Sequence, residues 1–299
     1  MRPIFTKLLA NRQSHLARHL KTAYPATLDV RKAIRAGAGD IIVEPGDAHA
    51  GTIGTAFDMF SGLMLIPEYR PLDPGPTRAW TRVHGLINDS LTEFVHATLP
   101  DREEDDNFYR AIWVLAELGA IVRTGYSNPD SALEQYIRSK DNAEALLNTA
   151  PADSIRQLRA LEAVAIEHLY PHLSAPLNAS ASFPAVQDIV QAESDLIAGD
   201  MLLDYKTAAG TPHKTTGARA FFPTESDIYQ ILGYGLMDDP DDGYGINAVA
   251  LYAARYGFST VYELPQLLDY LAGTAVNLDA ARASFRFALE ADYEAANAR

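Results

Sequence analysis

Residues 195–206 read DLIAGDMLLDYK, and their pattern decides the fold. Leu196, Ile197 and Ala198 form one short apolar run; Met201, Leu202 and Leu203 form another. Between them stands Gly199-Asp200. Glycine first in a two-residue turn suits a type II′ hairpin. Pairing outward sets Ala198 against Met201, Ile197 against Leu202, Leu196 against Leu203 and Asp195 against Asp204. Opposed residues share a face, with Cβ atoms about 4.5–5.5 Å apart. Side chains alternate along a strand, so Lys206 joins Asp204 on that face. Two like charges side by side disfavour a hairpin. A divalent cation between them removes the conflict, and Mg²⁺ takes carboxylate oxygens as ligands. A lysine within reach can then stabilise charge on a phosphate or help to activate a water.

Asp195 followed by Asp204-Tyr205-Lys206 resembles the PD-(D/E)XK nuclease signature. Gln230-Ile231-Leu232-Gly233-Tyr234 resembles the QxxxY helix motif of its RecB-like exonuclease branch. Gly54-Thr55-Ala56-Phe57-Asp58 is similar to the upstream GxxxH motif of that branch, with Asp58 in place of histidine. Ser194 stands where proline is usual. The motifs follow the family's order and cover about residues 50–66 and 183–258. The resemblance implies an α/β fold with a restriction-endonuclease-like core, a central mixed sheet flanked by helices. It also implies hydrolysis of phosphodiester bonds in DNA with Mg²⁺ or Mn²⁺. Asp58, Asp195, Asp204 and the main-chain carbonyl of Tyr205 would be the metal ligands. Lys206 would contact the scissile phosphate or the attacking water, and Gln230 would orient them. Gln230 and Tyr234 are four apart and share a helix face, so Tyr234 would support Gln230 or touch the nucleic acid. Glu193 shares the face of Asp195 and is an auxiliary candidate; Glu68, beyond the helix-breaking Pro67, is a weaker one.

Composition bounds the remaining readings. With 299 residues the chain can bury a full core. No apolar run approaches the ~18 residues of a membrane span. The opening MRPIFTKLLANRQ lacks the uninterrupted apolar core of a signal peptide. Cysteine is absent, which excludes disulfides, thiolate zinc sites and cysteine nucleophiles. These features point to a cytoplasmic protein. A net charge of −14 opposes binding to phosphate backbones. Its distribution softens this, because residues 1–39 hold eight Lys/Arg against Asp29 alone. A basic arm could meet DNA while an acidic body meets a protein partner.

Periodicity and breakers divide the chain into a basic helical segment (1–40), a first part of the core (41–76), a helical insertion (77–175) and the main core (176–299). An amphipathic helix is expected over 4–23, a short strand at Ile41-Ile42-Val43, and a helix from Thr55 to Ile66 ended by Pro67. Pro71 to Pro76 reads as a turn-rich break. Helices fill 77–173, with breaks near 100–106, 126–130 and 149–153. Pro171 to Pro184 reads as a connection. Strands are expected at 186–190, 193–198, 201–207 and 246–253. Thr224 is the expected N-cap, with Asp227 three residues on, of a helix through Met237. Asp238 to Gly245 reads as a turn, and a closing helix occupies 281–296.

His213, Lys214 and Arg219 on the loop after Lys206, and Arg255 past the last strand, are candidate phosphate contacts. No HExxH, Walker A, GxSxG or Rossmann glycine fingerprint is present. The alternative from another class is a non-catalytic nuclease-fold binding or scaffold protein that acts with a protein partner.

Overall fold

The computed structural model describes residues 2–72, 79–139, 142–239 and 243–298. The chain forms two compact units. One holds residues 1–41, 172–206 and 210–299; the other holds residues 42–171 and 207–209. Thus 42–72, read from the sequence as part of the core, groups with the helices that follow.

The first unit opens with α1 (Phe5–Ala10), α2 (His15–Ala23) and α3 (Thr27–Gly37). The single helix expected over 4–23 is therefore two. Ser14 separates them: its Oγ donates to Leu8 O at 2.9 Å and accepts from Ala17 N at 2.9 Å. A serine that satisfies an orphan amide starts a helix better than it continues one. Ile41-Ile42-Val43 forms no strand. The boundary between the units falls inside the run; Ile41 packs on the sheet unit's core while Ile42 is 54% exposed.

The second unit is helical: α4 (Ala50–Leu65), α5 (Arg82–Thr98), α6 (Asp106–Thr124), α7 (Ala132–Ser139), α8 (Ala143–Leu147) and α9 (Ala152–His168). The expected breaks near 100–106, 126–130 and 149–153 all separate helices. α6 is apolar nearly all round and packs against α4, α5, α8 and α9. Its buried Tyr109 donates to Glu162 of α9, whose other oxygen receives Arg102 Nε at 2.7 Å. A buried carboxylate is thereby fully paired. Residues 73–76 of the expected Pro71–Pro76 break lie outside the described residues, as do 240–242 of the Asp238–Gly245 turn.

The chain then returns to the first unit with β1 (Leu177–Ser182), β2 (Glu193–Ala198), β3 (Met201–Lys206), α10 (Glu225–Met237), β4 (Ala248–Ala253), β5 (Phe258–Glu263), α11 (Leu264–Ala272) and α12 (Leu278–Asn297). The strands form one mixed sheet in chain order, with helices flanking it. Three neighbouring pairs are antiparallel, and β3 and β4, joined through α10, are parallel. The α/β class with a mixed sheet is therefore as expected. The hairpin register is as expected for the three pairs nearest the turn, Ala198 against Met201, Ile197 against Leu202 and Leu196 against Leu203; the ladder stops there, without the expected pairing of Asp195 and Asp204. Gly199 has φ of +63°, the left-handed region a II′ turn requires at its first position.

Two strand assignments change. Residues 186–190 form no strand, because Ile189 and Val190 bond back to Val186 and bury Val186 and Val190 at turn spacing. The Ser/Ala-rich 177–182 is a strand instead, since β2 presents a free edge for it to pair with. In the core, α10 lies against β3 and β4 and packs on α1, α3, α11 and α12. Gly233 permits the close approach: a Cβ there would collide with the Phe5 ring. Among the described residues no helix is long and apolar enough to cross a membrane.

Candidate active site

Alternation on β3 aims the site. Leu202 enters the core shared with Ile228, Ile231 and Leu232 of α10. Asp204 and Lys206, two and four residues on, point to the same face. Ile197 of β2 opposes Leu202, so Asp195 faces that way too. β3 is the middle strand of five, and Asp204 is 1% exposed. Asp195 is half-buried, and its Oδ2 accepts from Tyr205 N at 2.6 Å. On β1, between the partners of Leu196 and Ser194, stands Ser180, the single non-glycine residue with positive φ (+51°) among the described residues. Backbone strain of this kind concentrates at functional sites.

Lys206 Nζ lies 2.8 Å from Asp204 Oδ2, 3.2 Å from Asp227 Oδ1 and 3.0 Å from Gln230 Oε1. The contact pairs this buried carboxylate oxygen with the charge of Lys206. Gln230 Nε2 donates to Tyr234 Oη at 3.3 Å. The Tyr234 ring is 4% exposed and stacks on Phe183 at 5.7 Å. Its hydroxyl is the part that reaches Gln230.

Burial raises the pKa of both Asp195 and Asp204, and the charge of Asp204 raises Asp195 further. Lys206 opposes the shift at both acids. Burial alone would lower the Lys206 pKa, but Asp204, Asp227 and Asp195 together hold it above its ordinary value. Lys206 is consequently held as a cation at neutral pH.

Asp227 is the member that motif reading missed as a site residue. Its Oδ2 accepts from Thr224 N at 2.6 Å and Thr224 Oγ1 at 2.8 Å, completing a capping box, while Oδ1 faces Lys206. The sequence marked it as a helix-start residue, and its position one turn before Gln230 was the available signal.

The other candidates are placed as follows. Asp58 is half-buried on α4 of the helical unit, whereas Asp195 and Asp204 belong to the sheet unit. Glu193 is exposed at the start of β2, and its charge reaches Asp195. His213 and Lys214 are exposed on the loop after β3. Arg219 is half-buried and donates to Gly210 O at 2.7 Å. Arg255 is 2% exposed within a turn after β4, so the structure holds it as an interior cation and not as a surface phosphate contact.

Among the described residues no three His, Asp or Glu side chains gather as a ready metal cage. The donors at Asp195 and Asp204 nevertheless suit a hard divalent cation: two carboxylates close enough for their charges to interact. No family model, curated protein or solved structure matches this chain.

Proposed function

We propose that the chain is a divalent-metal-dependent nuclease with a PD-(D/E)XK-type core that hydrolyses phosphodiester bonds in DNA. One observation carries the reading: Asp195, Asp204, Lys206 and Gln230 converge on one face of the sheet, beneath the start of α10. Asp195 and Asp204 would hold Mg²⁺ or Mn²⁺, with the carbonyl of Tyr205 as a further ligand. When bound, the metal lowers the pKa of a water and polarises the phosphate. Lys206 supplies fixed positive charge for the phosphoryl oxygens as negative charge builds in the transition state. Gln230 holds Lys206 in place and is itself held by Tyr234. No covalent enzyme intermediate is needed. DNA is favoured over RNA by the resemblance of the motifs.

Asp204→Ala tests the reading. It abolishes Mg²⁺-dependent cleavage of labelled DNA while circular dichroism stays that of the parent. Undiminished cleavage by this variant would overturn the assignment. A second reading, a non-catalytic nuclease-fold module, draws on the ion pair between Lys206 and Asp204, which already offsets one buried charge. It predicts no cleavage and no Mn²⁺ binding at Asp195 and Asp204.

A further inference from the structure

We infer that Arg31, Arg35 and Phe222 form a platform that binds single-stranded nucleic acid at the head of α10. The use made of the bound strand rests on the nuclease reading; the binding itself does not. Arg31 and Arg35 are one turn apart on α3 and share a face. Their guanidinium carbons lie 4.5 and 5.8 Å from the centroid of the Phe222 ring, inside cation–π range. Arg31 Nε also donates to Pro223 O at 2.7 Å, which fixes the guanidinium plane.

This cluster is charged and open. Phe222 is 38% exposed and Arg35 is exposed. Among the described residues no carboxylate forms an ion pair with either arginine; Asp29, the acid of α3, pairs with Lys32 at 3.4 Å. Glu225 lies nearby, 3.5 Å from Thr27 Oγ1. Proteins that hold single strands combine cations for the backbone with planar groups on which bases stack. Arg31, Arg35 and Phe222 supply both, and guanidinium planes themselves stack on unpaired bases. A duplex keeps its base faces covered and offers only phosphates to such a surface, so the single strand is the better fit.

Position gives the platform its use. Phe222-Pro223 runs directly into Thr224, the N-cap of α10. One turn further on, Asp227 and Gln230 hold Lys206. A strand gripped at Phe222 is thus delivered to the end of α10 that carries the partners of the catalytic lysine. The −14 charge of the chain repels phosphate elsewhere, so the grip has to be local and strongly salt-dependent.

The test is fluorescence anisotropy of labelled dT20 in EDTA, with the full chain and three forms: Arg31→Gln/Arg35→Gln, Phe222→Ala and Phe222→Leu. The double variant is expected to bind at least ~10-fold more weakly. Its log–log salt slope should fall by about 1.4, roughly 0.7 for each phosphate that is no longer neutralised. Phe222→Ala should weaken binding by about fivefold or more, and Phe222→Leu, which keeps apolar cover, should weaken it similarly. Should the glutamine pair melt early, Arg31→Lys/Arg35→Lys keeps the charge and loses the planar stack, so affinity drops while the slope holds. Parent-like binding by folded variants overturns the inference, as does absence of dT20 binding by the parent. Competition by poly-glutamate as strong as by dT20 would assign the patch to an acidic protein and overturn it as well. Platform-dependent binding without any cleavage would sink the nuclease reading alone; cleavage with parent-like binding by the variants would sink the platform alone.

Discussion

Replacing Lys206 by methionine should expose the electrostatic conflict at the heart of the site. The change keeps a long unbranched side chain and removes one charge. In the parent that charge sits 2.8 Å from Asp204, which is 1% exposed, and 3.2 Å from Asp227. Removing one partner of a buried ion pair costs roughly 3–5 kcal/mol. Lys206 is 18% exposed and Asp227 21%, so water softens the loss and about 3 kcal/mol is expected at pH 8. The loss must depend on pH. Burial already raises the folded-state pKa of Asp195 and Asp204 above the unfolded value, and without Lys206 both rise further. A raised folded pKa favours the protonated, folded protein, and that advantage disappears as pH climbs through the folded pKa. At pH 5 the acids of the variant take up protons, and the loss should shrink to about 1 kcal/mol. Both tryptophans, Trp80 and Trp113, belong to the helical unit, so their fluorescence would not report the sheet. Hydrogen exchange of β3 and β4 peptides across a urea series in EDTA does. A loss equal at pH 5 and pH 8, or none at pH 8, would show that Lys206 does not offset these buried charges.

Asp227→Asn retains an oxygen to accept from Thr224 and so should cost less than about 1 kcal/mol. It should lower kcat of DNA cleavage several-fold with little change in KM, because it loosens Lys206 rather than the substrate; a parental kcat would remove Asp227 from the site. Glu117 of the helical unit is pushed up to about 7, by burial first, with Trp113 opposing. Its ionisation therefore opposes folding above the unfolded value, and Glu117→Gln should raise stability by about 2–3 kcal/mol at pH 8. The gain should vanish near pH 4, where the acid is neutral in both states; tryptophan-monitored urea unfolding at the two pH values reads it, and a gain that is independent of pH would contradict the burial argument.

The hairpin and its carboxylates were legible in the sequence because three local signals agree there. Glycine opens the turn, apolar runs flank it, and the period of two fixes which side chains share a face. The start of α10 was legible for a similar reason, since Thr224 and Asp227 have capping spacing. β1 was hidden because Leu177 to Ser182 has little β propensity of its own and owes its conformation to pairing with β2. β5 and α11 were not anticipated, although Phe258 to Glu263 alternates in burial and Pro265 stands at the second position of α11. Phe222 lies about 190 residues after Arg31 and Arg35 in sequence, and no local pattern announces that they meet. Arg255 shows the opposite error: a cation just past a strand reads as a surface contact, but the turn folds it inward.

The central claim is tested most directly by cleavage of end-labelled and circular DNA, single- and double-stranded, in Mg²⁺, Mn²⁺ or EDTA, with Lys206→Ala beside the parent. Cleavage by the parent is expected in either metal and none in EDTA, with a loss of about 10²–10³-fold or more for Lys206→Ala. Cleavage that persists in EDTA, or that Lys206→Ala leaves unchanged, would contradict the claim.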